Sequence, residues 1–282
     1  MAILCSDRVS CSVEVGIGLL RWQKMRKQES PFPIGWKERL EQTLDLEAGY
    51  AELEGSEHFH SFTLRGTLRH LQVRFDEALE LYDQAEARYA HGDPTSENQE
   101  RFGWLIGQRL STRVFQEALS RSTQSMARTD AELERVLSTK GMNPVSRDKY
   151  VAFYNLLRGD YETAARGFQN VIETNRRFPE RSIGAYICAA AAAHELGQYK
   201  ESRRHYENAE LTMCCNCNRL VFCQYLTWLV ALCQHWGWET ERKRWTQTIS
   251  VLDCPEATRS CLFERAHLME DVCSAANAVV FA

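Results

Sequence analysis

The sequence predicts an all-α solenoid of antiparallel helix pairs laid side by side. Three observations carry this reading. One residue stencil occurs three times, strand-type alternation is scarce after residue 35, and all six prolines (31, 33, 94, 144, 179, 255) fall between helical segments. The stencil reads Phe75, Ala78, Tyr82, Ala85, then Tyr161, Ala164, Phe168, Val171, then Tyr199, Ser202, Tyr206, Ala209. Each copy has an aromatic, a small residue three later, an aromatic four after that, and a small or β-branched residue three further on. Residues three or four apart share a helix face, so each copy is one stripe. A single hairpin cannot bury such a stripe alone, and stacking on its neighbours closes the core.

The elements follow in order. Residues 1–35 read as an N-terminal arm, flexible or loosely docked. In it Val13, Val15, Ile17 and Leu19 alternate with Glu14, Gly16 and Gly18, a weak strand pattern. A basic patch follows (Arg21, Lys24, Arg26, Lys27), and Ser30-Pro31-Phe32-Pro33 breaks regular structure. Residues 36–254 read as the repeat domain. Trp36, Leu40 and Leu44 line a first helix. Segments 59–71 and 75–89 pair, ended by His91-Gly92-Asp93-Pro94. A second pair is expected over 102–110 and 114–126, with an extra helix over 129–140 stopped by Gly141 and Asn143-Pro144. The third pair covers 147–157 and 161–174, the fourth 183–196 and 199–213, and the fifth 220–236 and 238–252. Pro255 opens a C-terminal capping helix and tail over 255–282, since proline is tolerated in a first helical turn.

Gly159 and Gly197 fall in the tight turns, where a left-handed backbone costs any other residue. The aromatic two later (Tyr161, Tyr199) is read as a wedge between the helices, and the small residue three further on permits close approach. In the first pair Val73 stands where the turn glycine belongs, and Gly66 supplies the small residue of the first helix.

These residues resemble the tetratricopeptide repeat (TPR) family over most of 57–252. The resemblance is good for 145–178 and 183–216, moderate for 59–92, and weak for two further units, Phe115 with Ala118 and Trp238 with Trp245. The small position recurs at 78, 118, 164, 202 and 241, at intervals longer than the family's repeat of about 34 residues. The label is therefore TPR-like. The resemblance implies a right-handed superhelical stack that binds a peptide or protein on a concave face built from the first helix of each pair. Carried across by position, that face holds His60, Thr63, Thr67 and His70 in the first unit. It holds Ser146, Lys149, Phe153, Leu156 and Leu157 in the third, and Ile187, Ala191, His194 and Glu195 in the fourth. Phe153, Ile187 and Ala191 fit buried inter-helix contacts equally well. The set lacks the Lys/Arg clamp with which family members hold a peptide's terminal carboxylate.

Composition narrows the function further. The chain is 44% apolar and 26% charged with a net charge of −4, which gives no global pull toward nucleic acid. Residues 36–100 hold fifteen acids against six bases, and residues 101–210 thirteen acids against seventeen bases. Solvated helix faces account for that asymmetry, and it could also orient a charged partner. No targeting segment is evident, and the most apolar stretch (220–233) is shorter than the about 20 residues a membrane span needs. A cytoplasmic protein with no membrane association is expected. Reduced thiols are then the default for the eleven cysteines. Cys214 and Cys217 have the C-x2-C spacing of a zinc pair, but Cys223 and Cys233 are off the usual second-pair pattern and read as core. His58 and His60 lack a further ligand pair and read as exposed or groove-lining. No nucleophile elbow, phosphate-binding lysine loop or H-E-x-x-H occurs, so no catalytic residue, metal or cofactor is assigned. The seven tryptophans read as packing residues that could stack nucleobases. The reading is a non-enzymatic scaffold or adaptor for a protein or peptide partner. The alternatives are an RNA-binding helical-repeat protein and a zinc-stabilised subunit of a larger complex.

Overall fold

The structure, a computed structural model, describes residues 45–90, 95–120, 126–216 and 219–280. The expected arm, the Trp36 helix and the turn at His91–Pro94 lie outside them. The described residues are all-α, with no strand. Helix α1 (Leu46–Glu54) leads into five hairpins. They are α2 (Phe59–Leu71) with α3 (Phe75–Ala90), α4 (Ser96–Ser120) with α5 (Met126–Ser138), and α6 (Pro144–Leu157) with α7 (Tyr161–Thr174). Then come α8 (Ile183–Glu195) with α9 (Tyr199–Asn216), α10 (Arg219–His235) with α11 (Glu239–Ser250), and a closing α12 (Glu256–Val280). A 3-10 turn at Pro179–Ser182 feeds α8. The first helices α2, α4, α6, α8 and α10 lie side by side in that order. This is a TPR-like solenoid.

Local chemistry starts these helices. The Asp45 carboxylate accepts from the Glu47 and Ala48 N–H groups at 3.0 Å, and Asp160 accepts from Thr163 N–H at 3.1 Å. Asn143 caps α6 while Pro144 fills its first turn, where no N–H is needed. The three stencils then bury their small and second aromatic positions completely. Ser202, the one polar small residue, donates its hydroxyl to the Ala190 carbonyl at 2.8 Å, so its burial leaves nothing unpaired. On α2, Gly66 leaves room for the Tyr82 ring, which a Cβ there would strike.

Four hairpins share one turn. Val73, Gly159, Gly197 and Gly237 all adopt a left-handed backbone, with φ of 63°, 78°, 71° and 70°. In each, that residue's N–H bonds the carbonyl three back and the next N–H bonds the carbonyl five back. This arrangement satisfies carbonyls that a helix end would leave orphaned. Glycine adopts it freely, whereas valine crowds its β-branched side chain against the backbone.

Two expectations are corrected. The second pair does not break near residue 111, because α4 runs unbroken for 25 residues. Ser111-Thr112-Arg113 holds neither glycine nor proline, so nothing stops the helix, and Phe115 sits on a first helix. Its partner is α5, the segment read as an extra helix. The second unit's stripe is Thr129, Leu133 and Val136, with Thr129 and Val136 buried. Thr129 donates its hydroxyl to the buried Glu117 carboxylate. The second correction concerns Tyr199, which is 63% exposed and wedges nothing; it leans on His194 instead.

One apolar spine runs from Leu46 to Met269, with a satellite cluster around Phe62 and Tyr82 of the first hairpin that reaches Leu105 of α4. The row of first helices is curved, and α12 shows it. Arg265 of α12 touches α2, while Met269 touches Thr227 of α10. Those residues are four positions apart on α12, about 6 Å of rise. A flat row would separate α2 from α10 by roughly 35 Å at ordinary interaxial spacing.

The turn geometry predicts that Val73→Gly stabilises the protein by about 1 kcal/mol, the strain of a left-handed β-branched residue less the added chain entropy of glycine. Urea unfolding of the two proteins checks it, and a lower midpoint for the glycine variant would reject the strain argument.

Candidate functional site

The row of first helices presents two distinct regions. Near the helices' C-terminal ends it is covered by α12, which packs on α2, α4, α6 and α10. The face of α12 turned inward carries Thr258, Leu262, Arg265, Ala266 and Met269, all buried. Below it lies an aromatic ledge. The Phe115 ring is 5.9 Å from Phe153 and 5.4 Å from Trp228, and Phe153 meets Trp228 edge-on at 5.9 Å.

Arg265 is the charged group in this layer, only 1% exposed. Its guanidinium donates to the His70 carbonyl at 2.9 Å and reaches His70 Nε2 at 3.1 Å. It also lies 5.5 Å from the Phe115 ring centre. No carboxylate among the described residues pairs with it, and its Nε is buried without a partner. Burial lowers its pKa to about 10, so it remains charged at neutral pH. Burial, and then the Arg265 charge, hold the His70 imidazole well below its usual range. His70 is therefore neutral. Nε2 accepts from Arg265, so Nδ1 carries the proton and donates to Thr112 Oγ1, 2.8 Å away. Phe75 and Phe115 flank the ring at 5.4 and 5.2 Å.

At the opposite, N-terminal edge of the first helices the row is open. A cleft of about 540 Å³ lies between the starts of α2, α4 and α6, walled by His60, Leu64, Trp104, Met142 and Ser146. His60 leans on Trp104, ring centres 5.6 Å apart. Its backbone N–H donates to His58 Nδ1 at 3.2 Å, which makes His58 the cap of α2. Burial lowers the His60 pKa. Glu97, Glu100 and Arg101 form the rim, with Arg101 and Glu97 ion-paired.

The residues expected on the concave face separate accordingly. His60 and Ser146 meet in the open cleft. Thr63 is fully buried with its hydroxyl donated to the Phe59 carbonyl, and Thr67 does the same to Thr63. His70 and Phe153 are buried where α12 crosses, so neither offers a surface to a partner while α12 is in place. Lys149 is half-buried, its ammonium 4.9 Å from the Tyr150 ring, and burial lowers its pKa. His194 stands apart at the end of α8, stacked on Trp236 at 4.6 Å. Trp104, Thr112 and Arg265 were not among the expected residues. For Arg265 a signal existed, because 258, 262, 265, 266 and 269 form one helical stripe.

Cys223 and Cys233 are fully buried in α10, and burial pushes the Cys233 thiol up to about 12. The side chains of Cys214 and Cys217 lie outside the described residues. Among the described residues no group of three or more His, Cys, Asp or Glu could hold a metal, and no helix is long and apolar enough to cross a membrane.

No family model and no curated protein matches this chain. Among solved structures it is similar to a crystal structure of PilW, a widely conserved type IV pilus biogenesis factor. The identity is 12% and the TM-score 0.41, over 88% of this chain and 96% of that one. So loose an overlap carries no argument about what this chain binds.

The His70 environment has a pH consequence. Its folded pKa lies below the unfolded value of about 6.5, so the unfolded chain takes the proton first as pH falls. Its contribution to stability is present above about pH 6.5 and is lost below it, by at most about 1.4 kcal/mol per pH unit. His70→Gln keeps an acceptor for Arg265 and removes the titration. Its unfolding free energy is expected to fall less steeply than the wild type's between pH 6.5 and 5; parallel slopes would refute the assignment.

Proposed function

We propose that the chain is a non-enzymatic interaction scaffold that takes a peptide segment of a protein partner in the open cleft of its first helices. The observation that carries this reading is Trp104, half-buried in a cleft walled by three successive units. Partly exposed tryptophans with an apolar body are the side chains on which interface energy concentrates. Leu64 and Met142 extend the apolar floor, while His60 and Ser146 offer polar groups to a backbone. Glu97 is already paired with Arg101, and Glu100 adds a further carboxylate to the rim. The matching segment carries a bulky apolar side chain beside a lysine or arginine. A nucleic-acid backbone would meet those carboxylates first, so RNA is the weaker fit. The cytoplasmic setting expected from the sequence is compatible with this function.

Affinity capture from the native organism with wild type and Trp104→Ala, side by side, tests the cleft. At least one protein retained by the wild type is expected to drop tenfold or more with the variant, while far-ultraviolet dichroism stays the same. Equal retention by both proteins would remove the cleft from consideration.

A further inference from the structure

The terminal helix α12 has the features of a ligand held in cis. It is the last described element, joined to α11 only through residues 251–255. Its buried positions 258, 262, 265, 266 and 269 follow a helical period, and its other face is exposed at Glu256, Ser260, Glu264 and His267. A detached peptide of this kind would be an ordinary amphipathic helix that lays its apolar stripe in a groove. The groove is already shaped by α2, α4, α6 and α10, and its aromatic floor of Phe115, Phe153 and Trp228 packs within itself.

The contact is also poorly optimised at its centre. There a charged guanidinium is buried without a carboxylate, held by a neutral histidine, the last-turn carbonyl of α2 and the Phe115 ring, with Nε unpaired. Burying a charge without a counter-charge costs free energy, and release into water recovers it. On either side of Arg265, α12 is also held by polar contacts that water can replace. The Leu46 N–H donates to Thr258 Oγ1 at 3.4 Å, and Gln234 donates to the Glu270 carboxylate.

We infer that α12 is a displaceable occupant of a helix-binding groove. The partner it stands in for is an amphipathic helix with apolar residues at the spacing of Leu262, Ala266 and Met269 and a hydrogen-bond donor at the position of Arg265. The inference rests on the reading of the chain as a protein-interaction scaffold, but uses a different surface from the Trp104 cleft. The tether keeps α12 at a high effective concentration, of millimolar order for a short flexible link, so an outside helix competes only when it binds better or when α12 is loosened.

The test uses the full chain with a protease site inserted after Asp253, in the exposed turn, and cut after folding. The probe is a fluorescein-labelled synthetic peptide of residues 256–280. The cut protein is expected to exchange its own α12 for the probe, with a saturable rise in anisotropy. Uncut protein should bind at least tenfold more weakly, and a Leu262→Glu probe should fail. Loss of the cut protein's helicity as α12 leaves would overturn the inference, as would no exchange or equal binding to cut and uncut protein. Each of those results makes α12 a fixed part of the core or places the probe elsewhere. None of them bears on partner capture through Trp104, which is read independently.

Discussion

The two ends of this curved stack meet at one junction, where Arg265 is seated on the last turn of α2. The small rotation between neighbouring hairpins bends the row, and the junction ties its first unit to its fifth. Arg265 bonds the His70 carbonyl, and one turn later Met269 reaches α10. The His70 carbonyl already accepts from Val73 N–H in the hairpin turn, so the cation completes a helix C-terminus whose partial charge favours it. The turn and the crossing helix are therefore parts of one arrangement.

That arrangement divides the first helices into two surfaces of different chemistry. Where α12 crosses, Phe115, Phe153 and Trp228 form a dry aromatic layer around a neutral His70. At the other edge the helix starts are splayed around Trp104 and Leu64, with carboxylates at the rim. A residue's place along its first helix decides which surface it joins. His60 and His70 lie ten positions apart on α2. One lines the open cleft and the other is sealed.

Much of the fold was legible because its cause is local. Hairpins one, three, four and five follow from apolar period and turn residues, and four of the turns adopt the same left-handed geometry, including the one where valine replaces glycine. The second hairpin was misread because a shared stencil was sought at Phe115 and Ala118, although no turn residue separates that segment from the helix before it. The true stripe, Thr129 to Val136, holds no aromatic and so carried no family mark. For the candidate site, the family resemblance put His60, Ser146, Thr63, His70 and Phe153 alike on first helices; it left Phe153 open between groove and core and gave no sign that Thr63 and His70 would be buried.

The sequence by itself determined the all-α class and, outside the second hairpin, the pairing of neighbouring helices. Periodicity and turn chemistry act over a few residues and can be read directly. Tertiary structure alone decided the curl of the stack, the path of α12 and the part of the row left open. These features join residues such as His70 and Arg265, 195 positions apart, and a lone arginine in a helical stripe looks like a solvated charge until the helix beneath it is known.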